Sequence, residues 1–407
     1  MRRAEAERLD AADELAWLRD RFVIEDAGPL YLDGNSLGRL PCVTVEAVGA
    51  IVREGWGAGL VRSWLGWMEH AERVADELGR ALLGAAAGQV AISDSTSVNL
   101  YKLAAAALDA RPEQRVILST ADNFPTDRYV LEGLAAARGL ELRLLGPGEV
   151  EAALDGDVAL VSLSHVSYLT AAVEDVARVT AAAHGAGALV LWDLCHSVGA
   201  LPVELDRWGV DLAVGCTYKY VNAGPGAPAF LYVRRELQEQ LRQPIWGWFG
   251  QREQFQMGPA YDPVPGIGRF VVGTPPMLSL VPVGTGVAVL AEAGIERLRA
   301  RSVALTELLV ALWEEWLEPL GFELASPREP AARGGHVSLA HPEASRVSRA
   351  LVAAGVVPDF RPPNLVRLCP APAYTGFAEV WDALDRLRRV VAAGEHLALA
   401  ADPGRVT

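Results

Sequence analysis

The chain has 407 residues, 51% of them hydrophobic, with 37 basic against 51 acidic side chains and a net charge of −14. Chains of about 300 residues already hide roughly three quarters of their surface, so a globular protein of two domains is the expectation. The basic residues are scattered and no apolar run approaches the roughly 20 residues of a bilayer span, which argues against a nucleic-acid partner and a membrane location.

Taken in chain order, the N-terminal MRRAEAERLDAADELAWL has the pattern of a charged amphipathic helix without a signal-peptide core, so a cytoplasmic protein is expected. The stretch YLDGNSLGRLP, Tyr31 to Pro41, has a turn residue at every second or third position and reads as an ordered loop. From Gln89 to Val233, short β-rich runs (VAIS, RVILST, ELRLL, VALVSLS, ALVLWD, LAVGC, AFLYV) alternate with Ala-rich helical segments. The runs are apolar on both faces, as in a sheet covered on both sides, which predicts a large α/β domain around a mostly parallel sheet. Residues 234–282 are rich in Gly, Pro and aromatics and read as functional loops. A helical run to Leu320, strand-like pieces HVSLA, VVPDF and LVRLC, and a helix from Phe377 to Ala393 follow, forming a smaller α+β domain. Cys42, Cys195, Cys216 and Cys369 are far apart with no CxxC pair, so reduced thiols are expected, with neither zinc nor disulfides. The seven histidines show no metal-binding spacing.

The chain has only two lysines, Lys102 and Lys219, against 35 arginines. Lys219 lies in CTYKYVNAGPG, between a predicted strand and a Gly/Pro loop. An amine in an apolar, aromatic setting loses its proton readily and can form a Schiff base, which a guanidinium cannot do. Lys102 falls inside a helical pattern and needs no special explanation. Asp193 in LWDLCHS ends a predicted strand 26 residues before Lys219. A carboxylate so placed suits pyridoxal phosphate (PLP), whose pyridine nitrogen takes an acidic partner. His196 could stack on such a ring or be a structural histidine.

SDSTSVNL, from Ser93, combines ordinary helix-capping residues with what a phosphate site needs at a helix N-terminus. Asn123-Phe124-Pro125-Thr126-Asp127 and Ser164-His165-Val166-Ser167 each follow a predicted strand, where ligands of open α/β sheets bind. Arg361 and Arg367 are both candidates for a substrate carboxylate.

Eight stretches in register (YLDGNSLG, DSTSVNLYK, DNFPTDRYV, WDLCHSVGA, TYKYVNAGPGAPAFLYV, GWFG, GTPP and RPPNLVRLCPAPAYTGF) make the chain resemble the kynureninases, PLP enzymes of fold type I, the aspartate-aminotransferase-like superfamily. The resemblance implies a PLP-dependent transferase-like α/β fold: a large domain with a mostly parallel seven-stranded sheet and a smaller α+β C-terminal domain. The expected division is 1–60 as an N-terminal segment packing with the small domain, 61–282 as the PLP domain and 283–407 as the small domain. It further implies a Schiff base at Lys219, with Asp193 on the pyridine nitrogen and His196 close by. Thr96, Ser97 and Tyr218 would hold the phosphate side with Trp248 and Thr274 of a neighbouring subunit, making a homodimer with shared sites. Phe124, Pro125, Thr126, Asp127 and Ser164 would surround the ring. Arg367 rather than Arg361 would bind the substrate carboxylate, with Asn35 also on the substrate side and Trp64 along the aryl pocket.

The implied reaction is hydrolysis of L-kynurenine, or its 3-hydroxy form, to anthranilate or 3-hydroxyanthranilate and L-alanine, within tryptophan catabolism or NAD biosynthesis. Tyr218 would relay a proton. A cysteine desulfurase shares the Asp and Lys, but it needs a thiolate on a mobile loop, and Cys369 reads as a buried structural thiol. A non-catalytic relative would have no reason to retain Lys219, Asp193 and Arg367 together.

Overall fold

The computed structural model describes residues 2–25 and 27–400; residues 401–407 of the expected small domain lie outside the described residues. The strands in chain order are β1 (Leu30–Tyr31), β2 (Val90–Ile92), β3 (Val116–Thr120), β4 (Glu141–Leu145), β5 (Val158–Ser164), β6 (Leu189–Asp193), β7 (Leu212–Gly215), β8 (Phe230–Val233), β9 (Glu323–Leu324), β10 (Val337–Ala340), β11 (Val356–Val357), β12 (Asp359–Arg361) and β13 (Leu365–Leu368). The seven runs between Gln89 and Val233 form one sheet in the order β2-β8-β7-β6-β5-β3-β4. Only β8 runs against its neighbours.

Burial alternates along these strands. Val190 and Trp192 of β6 belong to one core, and Leu189 and Leu191 to the core on the opposite face. Strand β4, at the sheet edge, departs from the expectation: Glu141 and Leu144 are exposed, because an edge strand has one neighbour to cover it. Because β3, β5, β6 and β7 are parallel, their carboxyl ends, and the loops beginning at Asn123, His165, Leu194 and Cys216, open on one edge of the sheet.

A second, antiparallel sheet, β12-β13-β10-β9, has its own core with the helices Ile295–Leu312 and Phe377–Ala392. The helix Met277–Ala293 packs into the large-sheet core, so the boundary expected at residue 282 falls inside one helix. The N-terminal segment divides between cores: Ala6 and Leu32 join the small-sheet core, while Leu15, Leu18 and Phe22 join the large one. VVPDF is two strands, because Pro358 has no N–H to give a ladder: Val356–Val357 pairs in parallel with Leu30–Tyr31, and Asp359–Arg361 joins the small sheet. The stretch expected to be loop from Tyr31 onward thus opens on a strand residue. No single helix among the described residues is long and apolar enough to cross a membrane; the pair Met277–Ala293 and Ile295–Leu320 passes together but bends by 80°.

Candidate active site

A cavity of about 270 Å³ lies at the carboxyl ends of the parallel strands. Asp193 reaches it from the end of β6, and His196 from the tight turn that follows, where Asp193 Oδ1 accepts the backbone N–H of Cys195 at 2.7 Å. Lys219 arrives from the loop after β7. That loop is closed by Ala223 N–H on the Thr217 carbonyl (3.0 Å), Asn222 N–H on the Lys219 carbonyl (2.9 Å) and Thr217 Oγ1 on Pro228 O (2.7 Å). Asn222 takes a left-handed φ of 61°, which asparagine tolerates better than most side chains.

Lys219 Nζ is 3.0 Å from His196 Nε2. Burial, and next the nearby Lys219 ammonium, push the imidazole of His196 well below its ordinary pKa, so it is neutral and can accept a hydrogen bond from the lysine. Tyr218 lies under the amine, with Nζ 5.9 Å from its ring centroid, and burial raises its phenol so that the proton stays on oxygen. Asp127, buried beside Asp193, is raised well above the usual carboxylate range by burial first and by that neighbouring carboxylate second.

The other wall is the helix Thr96–Asp109, whose N-cap is Ser95, its Oγ accepting from Val98 N–H at 3.4 Å. Ser95, Thr96 and Ser97 line the cavity there. Phe124, Thr126, Asp127 and Ser164 line it too, and Ser164 Oγ donates to Asn123 Oδ1 at 2.7 Å. Pro125 opens the helix Pro125–Arg138 at its first turn and is not on the cavity wall.

Arg367, on β13, is buried and, like Asn35, is not on the cavity wall, which it reaches only through Tyr168. Its Nε donates to Asp359 Oδ2 (2.5 Å), Nη1 to the Tyr168 carbonyl (2.5 Å) and Nη2 to Ser36 Oγ (3.3 Å). Arg361 meets the same Asp359 oxygen at 3.0 Å but is less buried. Asn35, next to Ser36, is fully buried, and neither side-chain amide atom has a partner among the described residues.

Trp64, Trp248 and Thr274 do not line the cavity of their own chain. Trp64 packs on Trp248 with ring centroids 6.0 Å apart, and Thr274 is an exposed residue of another hollow, shared with Asp94 and Gly226. Sequence reasoning missed Tyr168, which lines the cavity and ties it to Arg367; its only signal was its place directly after SHVS. It also missed His336, buried with its ring 5.6 Å from that of His196. Cys195 and Cys216, remote in sequence, are neighbours on the cavity wall, with Cys216 N–H donating to Cys195 Sγ at 3.2 Å; all four cysteines are free. Lys102, set aside as an ordinary helical lysine, is wholly buried.

Comparison with known proteins shows which family the chain is similar to. Residues 298–387 match the family model for the kynureninase C-terminal domain. The kynureninase of Pseudomonas fluorescens is 45% identical over 94% of this chain and 94% of its own length. The chain belongs to the kynureninase family. The kynureninase of Burkholderia pseudomallei is likewise 45% identical, over 96% of this chain and 95% of its own. Among solved structures, a cysteine desulfurase from Thermococcus onnurineus superimposes with a TM-score of 0.79 at 19% identity, covering 90% of this chain and 95% of that one. That likeness establishes fold type I for this kynureninase-family chain and carries nothing about its substrate.

Proposed function

We propose that this site binds PLP and hydrolyses L-kynurenine, or 3-hydroxy-L-kynurenine, to anthranilate or its 3-hydroxy form and L-alanine. The observation that carries the reading is the amine of Lys219 at 3.0 Å from a neutral imidazole, in one cavity with Asp193. Family membership at 45% identity over nearly the whole chain supports the same reaction.

The residues present fit the cofactor. Asp127 Oδ2 and His196 Nδ1 are buried polar atoms without a partner among the described residues, at the cavity where a flat heteroaromatic ring needs them. Asp193 would hold its pyridine nitrogen, and Thr96 and Ser97, at a helix N-terminus, its phosphate. When bound, the cofactor supplies an electron sink for charge developing next to the amino group. Lys219 Nζ takes the Cα proton, and His196 receives the hydrogen bond of that amine. Water adds to the γ-carbonyl carbon, the Cβ–Cγ bond breaks to leave the aryl carboxylic acid, and Tyr218, holding its phenolic proton, donates it at Cβ. Arg367 and Asn35 hold the substrate carboxylate, with Arg367 aimed by the Tyr168 carbonyl and Asp359.

The active form is a homodimer. Trp248 and Thr274 stand away from their own chain's cavity, which supports their serving a neighbouring subunit's phosphate side, with Trp64 at the aryl end. A desulfurase reading has the shared fold in its favour but no suitable thiol: Cys369 is buried, with its Sγ 3.5 Å from Tyr220 Oη and from Gly335 O. The test is anthranilate fluorescence from the purified protein given L-kynurenine and, in parallel, 3-hydroxy-L-kynurenine. Product that disappears in Lys219→Ala supports the reading; no product from either substrate with cofactor bound overturns the substrate assignment.

A further inference from the structure

Lys102 is the chain's second lysine and is 0% exposed. Its ammonium has three partners: Asp94 Oδ2 at 2.7 Å, Phe270 O at 2.8 Å and Ser93 Oγ at 3.3 Å. Three diverging acceptors around one nitrogen match a tetrahedral ammonium and not a planar guanidinium fork. A buried charge is costly to desolvate, so its retention calls for a positional role.

That role can be read from what it grips. Asp94 has φ of +52°, a left-handed backbone that a non-glycine residue holds only under constraint. Its carbonyl accepts from Ala229 N–H at 2.9 Å, and Ser93 N–H donates to Ala229 O at 2.9 Å. Asn99, one turn into the same helix, donates to the Ser93 carbonyl at 2.8 Å. The turn so pinned delivers Ser95, Thr96 and Ser97 to the cavity. The third bond, to Phe270, ties the turn to the segment that runs on to Thr274.

We propose that Lys102 is a positioning residue for the phosphate end of the cofactor, fixing the Ser93–Asp94 turn so that the helix N-terminus behind it is preorganised for a phosphate dianion. It touches neither cofactor nor substrate and acts through Asp94 and Ser93. The inference rests on the reading that the cavity binds PLP.

The test compares two cofactor forms on the full-length chain, PLP and pyridoxal, which lacks the phosphate. Each is titrated into resolved enzyme, and the visible band of the lysine adduct is followed. Wild type is expected to bind PLP far more tightly than pyridoxal. In Lys102→Met, PLP affinity is expected to fall about tenfold or more, by analogy with losing a charge-assisted hydrogen bond, with pyridoxal affinity held within about twofold. Lys102→Arg is expected to lose PLP affinity as well, because it keeps the charge but not the shape. Asp94→Asn, at a side chain 29% exposed, gives the same comparison should the lysine variants fail to fold. Equal weakening of both ligands, or no change in either, would overturn the proposal, since a general structural defect cannot single out the phosphate. A wild type that does not prefer PLP to pyridoxal would instead overturn the cofactor reading, and this inference with it.

Discussion

A Cβ on Gly38 would stand 2.2 Å from the carbonyl oxygen of Lys219, so the GNSLG loop lies against the backbone of the lysine itself. The same atom would meet Asn222 Oδ1 at 2.3 Å and Asn222 Cα at 2.8 Å, while Gly38 N–H donates to the Tyr218 carbonyl at 2.9 Å. Backbone cannot yield as a side-chain tip can. Gly38→Ala is expected to lower kcat at least about tenfold and stability by about 1–3 kcal/mol, the usual range for overpacking. Gly66→Ala, with nothing within 4 Å on an exposed helical face, is the control and should be neutral or slightly stabilising in the same kinetic and thermal-melt measurements.

The two buried carboxyls should respond differently to amidation. Burial and then Asp193 push the Asp127 carboxyl up, towards the protonated form, so Asp127→Asn is the smaller change and should cost less than about tenfold in kcat/KM. Asp193→Asn removes the carboxylate proposed to face the pyridine nitrogen and should cost about a hundredfold or more. Equal losses in steady-state kinetics would contradict this division of roles.

Arg367 has two jobs that a double variant can separate. Arg367→Gln takes a partner from buried Asp359, at an expected cost of about 3 kcal/mol in chemical denaturation, and it should also raise KM. Because Arg361 still pairs with Asp359 at 3.0 Å, adding Asp359→Asn should recover only a small part of the stability. KM should stay high, because the carboxylate-binding fork is still missing.

His165 makes the fold sensitive to acid. It is fully buried, and burial, then the charge of Arg299, lowers its pKa to about 4. The unfolded histidine takes up a proton near pH 6.5. Between these values the unfolded state binds the extra proton, so this group's contribution is complete above pH 6.5 and is lost as pH falls towards 4, by roughly 3 kcal/mol at most. His165→Phe keeps the edge-on contact with Trp208, at a 5.6 Å centroid distance in the native protein, and should reduce the dependence of the urea midpoint on pH across that window, the remainder coming from the other buried histidines.

Thiol labelling should distinguish the four cysteines. The Cys369 thiol is pushed up to about 12 by burial, whereas Cys42 is exposed. Iodoacetamide should modify Cys42 in the native protein and reach Cys369 only after unfolding, as peptide mass mapping would show. Rapid native labelling of Cys369 would reopen the desulfurase reading.

The central sheet was legible because strands covered on both faces are apolar on both, and all seven expected runs became its strands, the exposed edge strand β4 included. The lysine, its aspartate and the capped helix were legible because each sits at a strand end, where chemistry and turn signals coincide. Lys102 was not: its helix buries Leu100, Leu103 and the run Ala104 to Ala107, so no polar stripe marks an outer face. That missing stripe was the available signal that a charge at 102 is enclosed. His336 and Tyr168 were hidden for a different reason, since they reach the site through strand pairing and loop crossing that local pattern does not encode. The pairing of Leu30–Tyr31 with Val356–Val357 is the extreme case, as two residues carry too little periodicity to reveal a partner near the other end of the chain.

That pairing also has a bearing on biosynthesis. Leu30 meets Val356, Asp33 bridges to Cys369, and Cys369 N–H donates to Leu32 O at 2.8 Å. An emerging polypeptide therefore exposes Leu32 and the glycine loop beyond it until residue 369 has been made. Closing so long a loop comes late and slowly. During that interval the strand Leu30–Tyr31 lacks its Val356–Val357 partner and offers an open edge to other chains.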